Sequence, residues 1–181
     1  MRTIKRVRRQ IPILLAVFLC ASVFALQPST LAAQGPAVHG PADGPAPAGD
    51  REAVLEVVLQ LFEGMRTRDE ALLRGVWHRE ARLLTAPSQP GQELRMTPID
   101  AFVTGVLSGS AHLDEVIFDE QVWVDGSLAA VWAPYNLFVN GEFQHCGVDA
   151  VQLVREGQSW VIIQLVDTRT QSGCDRDRRS P

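Results

Sequence analysis

The sequence predicts an α+β domain in which three N-terminal helices pack on a curved antiparallel β-meander, together forming a half-open cone. Three observations carry that expectation. Between residues 50 and 109 apolar side chains recur at helical spacing, and from Leu113 onward the period falls to two. Between the alternating runs lie two short turn signals, Asp125-Gly126 and Asn140-Gly141.

Ahead of the domain, MRTIKRVRRQ is a basic leader and IPILLAVFLCASVFAL an unbroken apolar run, the two parts of a secretory signal. The run is short for a bilayer span and STLAAQ offers small residues to a peptidase. Residues 1–33 are therefore expected to be removed near Ala32 or Ala33, with an uncleaved anchor as the alternative. Val17, Phe18 and Leu19 lack the small residue that a lipid-modification signal needs before its cysteine, so Cys20 is expected to leave with the leader. Arg8-Arg9 resembles a twin-arginine signal only weakly, which favours general export to the periplasm or beyond. Residues 34–49, QGPAVHGPADGPAPAG, have no helical or strand period and are expected to form a disordered linker, with His39 a solvated linker residue. Residues 50–174 then make one small domain, and RDRRSP within 175–181 suits a flexible tail.

Removing the leader sharpens the charge. Five of the 17 Lys and Arg lie within it and all 21 acids lie beyond, leaving 12 against 21, a net −9. Such a chain is a poor partner for nucleic acid or an anionic membrane surface. Cys146 and Cys174 remain, an even number in an oxidising compartment, and a disulfide between them is expected. It would contribute on the order of 3 kcal/mol. Zinc is disfavoured, because C-x-x-C spacing and a fourth ligand beside His145 are missing.

The helices follow in order. REAVLEVVLQLFEGM places Val54, Leu55, Val58, Leu61 and Phe62 on one face, with Asp50 as the N-cap and Gly64 near the end. TRDEALLRGVWHREARLLT opens with Thr67 and Glu70 at capping-box spacing and reads as a second helix burying Leu72, Leu73, Val76 and Trp77. His78 then lies at its C-terminal end, where the dipole favours a cation. Thr97, Pro98 and Asp100 start a third helix that runs to Gly109. Four strands complete the plan: VIFDEQVWV, SLAAVWAPYNLFV, EFQHCGVDAVQLV and SWVIIQLVDT, the last pair joined at Glu156-Gly157.

Two-residue turns fix register. Taking each turn at its dipeptide sets Asp119 opposite Trp132, Trp132 opposite Asp149, and Asp149 opposite Gln164, with Asn136 opposite His145. One face then grades from Trp123, Leu128, Leu153 and Trp160 to those polar residues. It would line a pocket for a small amphipathic ligand. The other face would carry Phe118, Val122, Val131, Ala133, Val148, Ala150, Ile163 and Leu165. It is too apolar for water and is expected to be covered by a second copy. Pro134 introduces a possible bulge that decides whether Tyr135 faces the pocket or the outside.

In this face Asp149 is the candidate base, since burial beside an aromatic ring raises a carboxyl pKa. The alternative is an acid satisfied by Gln164, backbone donors or Arg169. His145 is a candidate acid or hydrogen-bond donor at the mouth, with a structural role as the alternative. Asp119 either joins the pocket or discourages edge pairing. Cys146 shares the outward parity with Asp167. Neither a Gly-rich loop between strand and helix nor a nucleophile elbow is present, so no nucleotide or other cofactor is expected.

Three helices followed by a meander, with WAPYNLFVNGEFQHCGVDAVQLV and WVIIQLVDTRTQSGC as the distinctive stretches, resemble the nuclear transport factor 2-like superfamily, and within it the exported SnoaL-like or lumazine-binding-like bacterial proteins. The resemblance covers roughly residues 50–174. It implies a cone-shaped α+β fold with a pocket between helices and sheet, often dimeric through the outer face. The isomerase Asp and Tyr motifs of the superfamily match no position here. Three functions follow as expectations: a binding module for a small amphipathic or aromatic molecule, a cofactor-free isomerase, dehydratase or cyclase using Asp149, or a homodimeric interaction module.

Overall fold

The computed structural model describes residues 48–179; the expected signal segment, Cys20, His39 and the linker up to residue 47 lie outside them. The chain runs through α1 (Ala48–Thr67), α2 (Glu70–Gly75), β1 (Trp77–Thr85), β2 (Arg95–Thr97), α3 (Ile99–Ser108), β3 (Leu113–Ile117), β4 (Gln121–Asp125), β5 (Leu128–Val139), β6 (Glu142–Glu156) and β7 (Ser159–Asp167). The α+β class holds, with helices against one face of a curved sheet. The sheet itself is larger than expected: seven strands in the order β2-β1-β7-β6-β5-β3, with β4 also on β5. Because β1 runs parallel to β7, the sheet is mixed.

The first helix buries Val54, Val58, Leu61, Phe62 and Met65, a stripe at the spacing a core-facing helix requires. It begins at Ala48, so Asp50 sits inside its first turn, where its carboxylate pairs with Arg155. A Cβ on Gly64 would come within 3.0 Å of Leu73, so this glycine lets α2 approach closely. The second helix is the first correction. It is capped by Asp69, whose carboxylate accepts from the Ala71 and Leu72 amides, rather than by Thr67, and it ends at Gly75. WHREARLLT is a strand, held by pairing with β7 that no local periodicity reports. His78 therefore lies on β1, 3.2 Å from Glu156, and not at a helix end. The third helix spans the expected segment and stops at Gly109.

VIFDEQVWV is also two strands. Asp119 takes φ 50° and breaks it, so that β3 pairs with one half of β5 and β4 with the other. Pro134 sits opposite this break, accepting from the Phe118 amide, where its missing N–H leaves no ladder bond unmade.

Register explains most of the remaining differences. At Asn140-Gly141 both turn residues have positive φ, as a type I′ turn requires, and Val139 pairs with Glu142 as expected. At the other two turns Gly126 and Gly157 are the first central residues, with Ser127 and Gln158 second, so the pairing moves by two and the faces are unchanged. Two bulges then reassign faces. Gln144 is the extra residue between the Leu137–His145 and Phe138–Phe143 pairs, and Ile163 is extra between Leu153–Ile162 and Gln152–Gln164. Beyond Gln144 the whole of β5 turns over relative to β6. Val122, Ala129, Val131, Ala133 and Leu165 consequently form the core with Val151, Leu153, Trp160 and Ile162, while Trp123, Leu128 and Trp132 face outward.

Residues 175–179 lie across the outer face. Arg178 makes a double hydrogen bond to Asp119, and the Asn136 amide donates to the Asp175 and Arg178 carbonyls. Arg178 and Arg179 stack over Phe118 and Phe138. Cys146 and Cys174 are joined in a disulfide. Among the described residues, no helix is long and apolar enough to cross a membrane.

Candidate functional site

Between α1, α3 and the polar end of the sheet lies a half-enclosed cavity of about 250 Å³. Its walls are apolar: Leu61, Phe62 and Met65 come from α1, Trp77 and Leu83 from β1, Phe102 from α3, and Leu137 and Leu165 from the sheet. Trp77 and Phe102 meet edge to face at 6.3 Å. Against these walls stand Glu115, Tyr135, His145, Asp149, Asp167 and Arg169.

Strand parity places each of them. Glu115 shares the inner face of β3 with Leu113 and Ile117, Tyr135 follows Val131 and Ala133 on β5, and Asp149 precedes Val151 and Leu153 on β6. Asp149 pairs across the ladder with Asp167, which the bulge at Ile163 has turned inward. Tyr135 pairs with Gly147, where a Cβ would lie 1.8 Å from the Thr168 carbonyl and 2.9 Å from the Tyr135 ring. Only glycine fits. That close approach lets the Tyr135 hydroxyl donate to the Thr168 carbonyl at 3.0 Å, and the His145 ring packs edge-on against the tyrosine at 5.7 Å.

The electrostatics are those of three carboxyls crowded beside one guanidinium. Asp149 and Asp167 are almost wholly buried, and Arg169 pairs with Asp167. Burial, reinforced by the neighbouring Glu115, holds the Asp149 carboxyl well above the usual carboxylate range. Burial also pushes Glu115 up to about 7, and Asp167 adds to the rise. The charge on Glu115 disfavours ionisation of Asp149, so the two carboxyls titrate as a pair. Burial and the nearby Arg169 lower the His145 pKa, so its ring is neutral near pH 7. Burial raises the Tyr135 pKa, keeping the phenol protonated as a donor. Among the described residues no group of three or more His, Cys, Asp or Glu is arranged to hold a metal ion.

Of the residues expected in the pocket, the structure brings together Asp149, His145 and Tyr135. Four others lie elsewhere. Trp132 is 47% exposed on the outer face, paired with Ala150, because the bulge at Gln144 turned its strand over. Gln164 is paired with Gln152 on that same outer side after the bulge at Ile163. Asn136 pairs with Cys146, not His145, and is buried beneath the tail. Asp119 is in the strand break, bound to Arg178. Asp167 faces inward, contrary to its expected parity with Cys146. Arg169 binds Asp167 and not Asp149. Glu115 and Trp77 were missed. The signal for Glu115 was present, an acid in phase with Leu113 and Ile117; Trp77 gave none, since its segment reads as helix.

Residues 49–166 match the family described as "Putative lumazine-binding". No curated protein sequence matches the chain. Among solved structures, an NTF2-like protein of unknown function from Shewanella baltica is 15% identical, with 71% of this chain and 100% of that one covered and a TM-score of 0.55. A protein of unknown function with a cystatin-like fold from Nostoc punctiforme is 8% identical, covering 71% and 97%, with a TM-score of 0.58. A structure from Streptomyces avermitilis described as a "putative dehydratase from the NTF2-like family" is 16% identical over 70% of this chain and 100% of that one, at 0.55. At such identities these structures establish the fold alone. With about two thirds of its length matched, the chain belongs to the family described as "Putative lumazine-binding", and its helices and curved sheet follow the NTF2-like fold.

Proposed function

We propose that the protein binds a small aromatic or amphipathic molecule in the cavity between α1 and the sheet. One observation carries this: apolar walls from Phe62, Trp77, Phe102 and Leu137 enclose about 250 Å³ beside a cluster of hydrogen-bonding groups. Ligand pockets combine these two features, usually in volumes of about 300–1,000 Å³, and a cavity just below that range suits one or two fused rings. The family description favours an aromatic ligand. The test is a screen of bicyclic fragments by thermal shift against the wild type and a Leu137→Trp variant, whose indole occupies the cavity. Compounds that raise the midpoint of the wild type alone support binding there; equal effects on both proteins, or none on either, refute it.

Glu115 and Asp149, both lining the cavity and both held above the usual carboxylate range, favour a second reading, a cofactor-free isomerase, dehydratase or cyclase. In it the ionised member of the pair removes a proton, and neutral His145 or Tyr135 stabilises the oxyanion. Asp149→Asn separates the readings: turnover collapses with binding retained if the pair is a base, and only affinity changes if the protein is a binder.

Two features of context belong to the same proposal. The basic leader and apolar run support export, and a mature N-terminus near Ala32 or Ala33, read by mass spectrometry of the exported protein, would establish it. Trp123, Leu128 and Trp132, exposed together on the outer face, support a homodimer through that face. Sedimentation of the wild type and Trp132→Glu would show a dimer that the substitution dissociates.

A further inference from the structure

We propose that the mouth of the cavity is an anion-binding subsite centred on Arg169 and Arg176, which holds an oxyanion group of a ligand whose apolar body lies inside. The inference rests on the cavity reading above and adds the ligand's charge.

His145 and Arg169 line both the cavity and an open depression beside it. The other walls of that depression include Ser88, Thr170, Ser172 and Arg176, and no carboxylate lines it. On a chain with 12 basic and 21 acidic residues beyond the leader, a depression lined by two arginines and no carboxylate stands apart. Arg176 donates to the Gln171 carbonyl at 2.8 Å and stacks over Phe143. Arg169 uses Nε for Asp167, which leaves its terminal nitrogens for a ligand. Guanidinium forks with hydroxyls between them suit a carboxylate, sulfonate or phosphate.

The position of Arg176 is built by the fold. Cys174 is tied to β6 through Cys146, and the Asn136 amide holds the Asp175 and Arg178 carbonyls on either side of it at 2.7 and 2.9 Å. The disulfide therefore places a recognition residue at the mouth of the cavity. The anionic end would lie outside, with the rings beyond His145.

Two fluorescent probes differing only in charge test this: anilinonaphthalene sulfonate and its neutral counterpart N-phenylnaphthylamine, titrated into the oxidised mature protein. Arg176→Gln should weaken the sulfonate about tenfold and leave the neutral probe unchanged. Reduction of the disulfide should do the same, and salt should weaken only the sulfonate. Leu137→Trp, or Thr97→Trp if the first does not fold, should abolish both. If the sulfonate binds the wild type and Arg176→Gln alike while the blocking variant loses both probes, the anion subsite is overturned and the cavity reading stands. If neither probe responds to the blocking variants, the cavity reading fails and takes the subsite with it.

Discussion

The two ends of the sheet are made by the same strands and face the same helices, yet they are built on different terms. Toward the tight turns, Val131, Val151, Leu153, Trp160 and Ile162 form hydrocarbon core with Val54 and Val58. At the far end Tyr135, His145, Asp149 and Asp167 project from β5, β6 and β7 beside a cavity. The first end gains stability from each buried side chain. The second desolvates carboxyls, which works against stability and is limited by holding Glu115 and Asp149 toward their neutral forms. Such a cluster marks a candidate functional site, because packing alone would not select it.

The largest test attacks the backbone contact that holds the polar end. Gly147→Ala would force the Thr168 carbonyl off the Tyr135 hydroxyl, and a loss of about 4 kcal/mol, or of soluble protein altogether, is expected in urea unfolding. A small effect would mean that the polar end is loosely built. Next, Leu153→Ala at the apolar end should cost about 3 kcal/mol while leaving probe binding unchanged, which separates packing from recognition.

At the polar end the expected signature is pH dependence. Glu115 and Asp149 have raised pKa values in the folded protein, so the native state binds more protons than the unfolded one. Their contribution is complete below the unfolded carboxyl range and is lost as pH rises through about 7. Unfolding free energies from urea titrations should fall by roughly 2 kcal/mol between about pH 5 and pH 8, and Asp149→Asn should flatten that slope. An unchanged slope would break the account of a titrating pair. The smallest effect belongs to Asp119→Asn on the outer face, where losing an exposed pair with Arg178 should leave the urea transition nearly unchanged and ligand binding intact.

Much of the scaffold was legible in the chain. The stripe on α1, the stop of α3 at Gly109 and the type I′ turn at Asn140-Gly141 follow from local chemistry, and so does the membership of β6 residues Asp149, Val151 and Leu153 in one face. The site was legible only in part. A bulge was considered at Pro134, but the extra residues are Gln144 and Ile163, neither of which carries a proline or glycine to announce itself. A one-residue insertion exchanges the faces of everything beyond it, which is why Trp132 and Gln164 moved outward and Asp167 moved in. The strand nature of Trp77–Thr85 was hidden because its partner, β7, is about eighty residues away in the chain.

By itself, the sequence determined the helix stripes, the turn glycines, the acidic balance and the even cysteine pair, because each depends on neighbours within a few positions or on composition. Tertiary structure alone decided which carboxyls meet. Glu115, Asp149 and Asp167 come from three separate strands, and only bulge positions and a glycine-sized gap over Gly147 bring them to one cavity. Periodicity can show that a residue alternates; it takes the assembled sheet to say toward what.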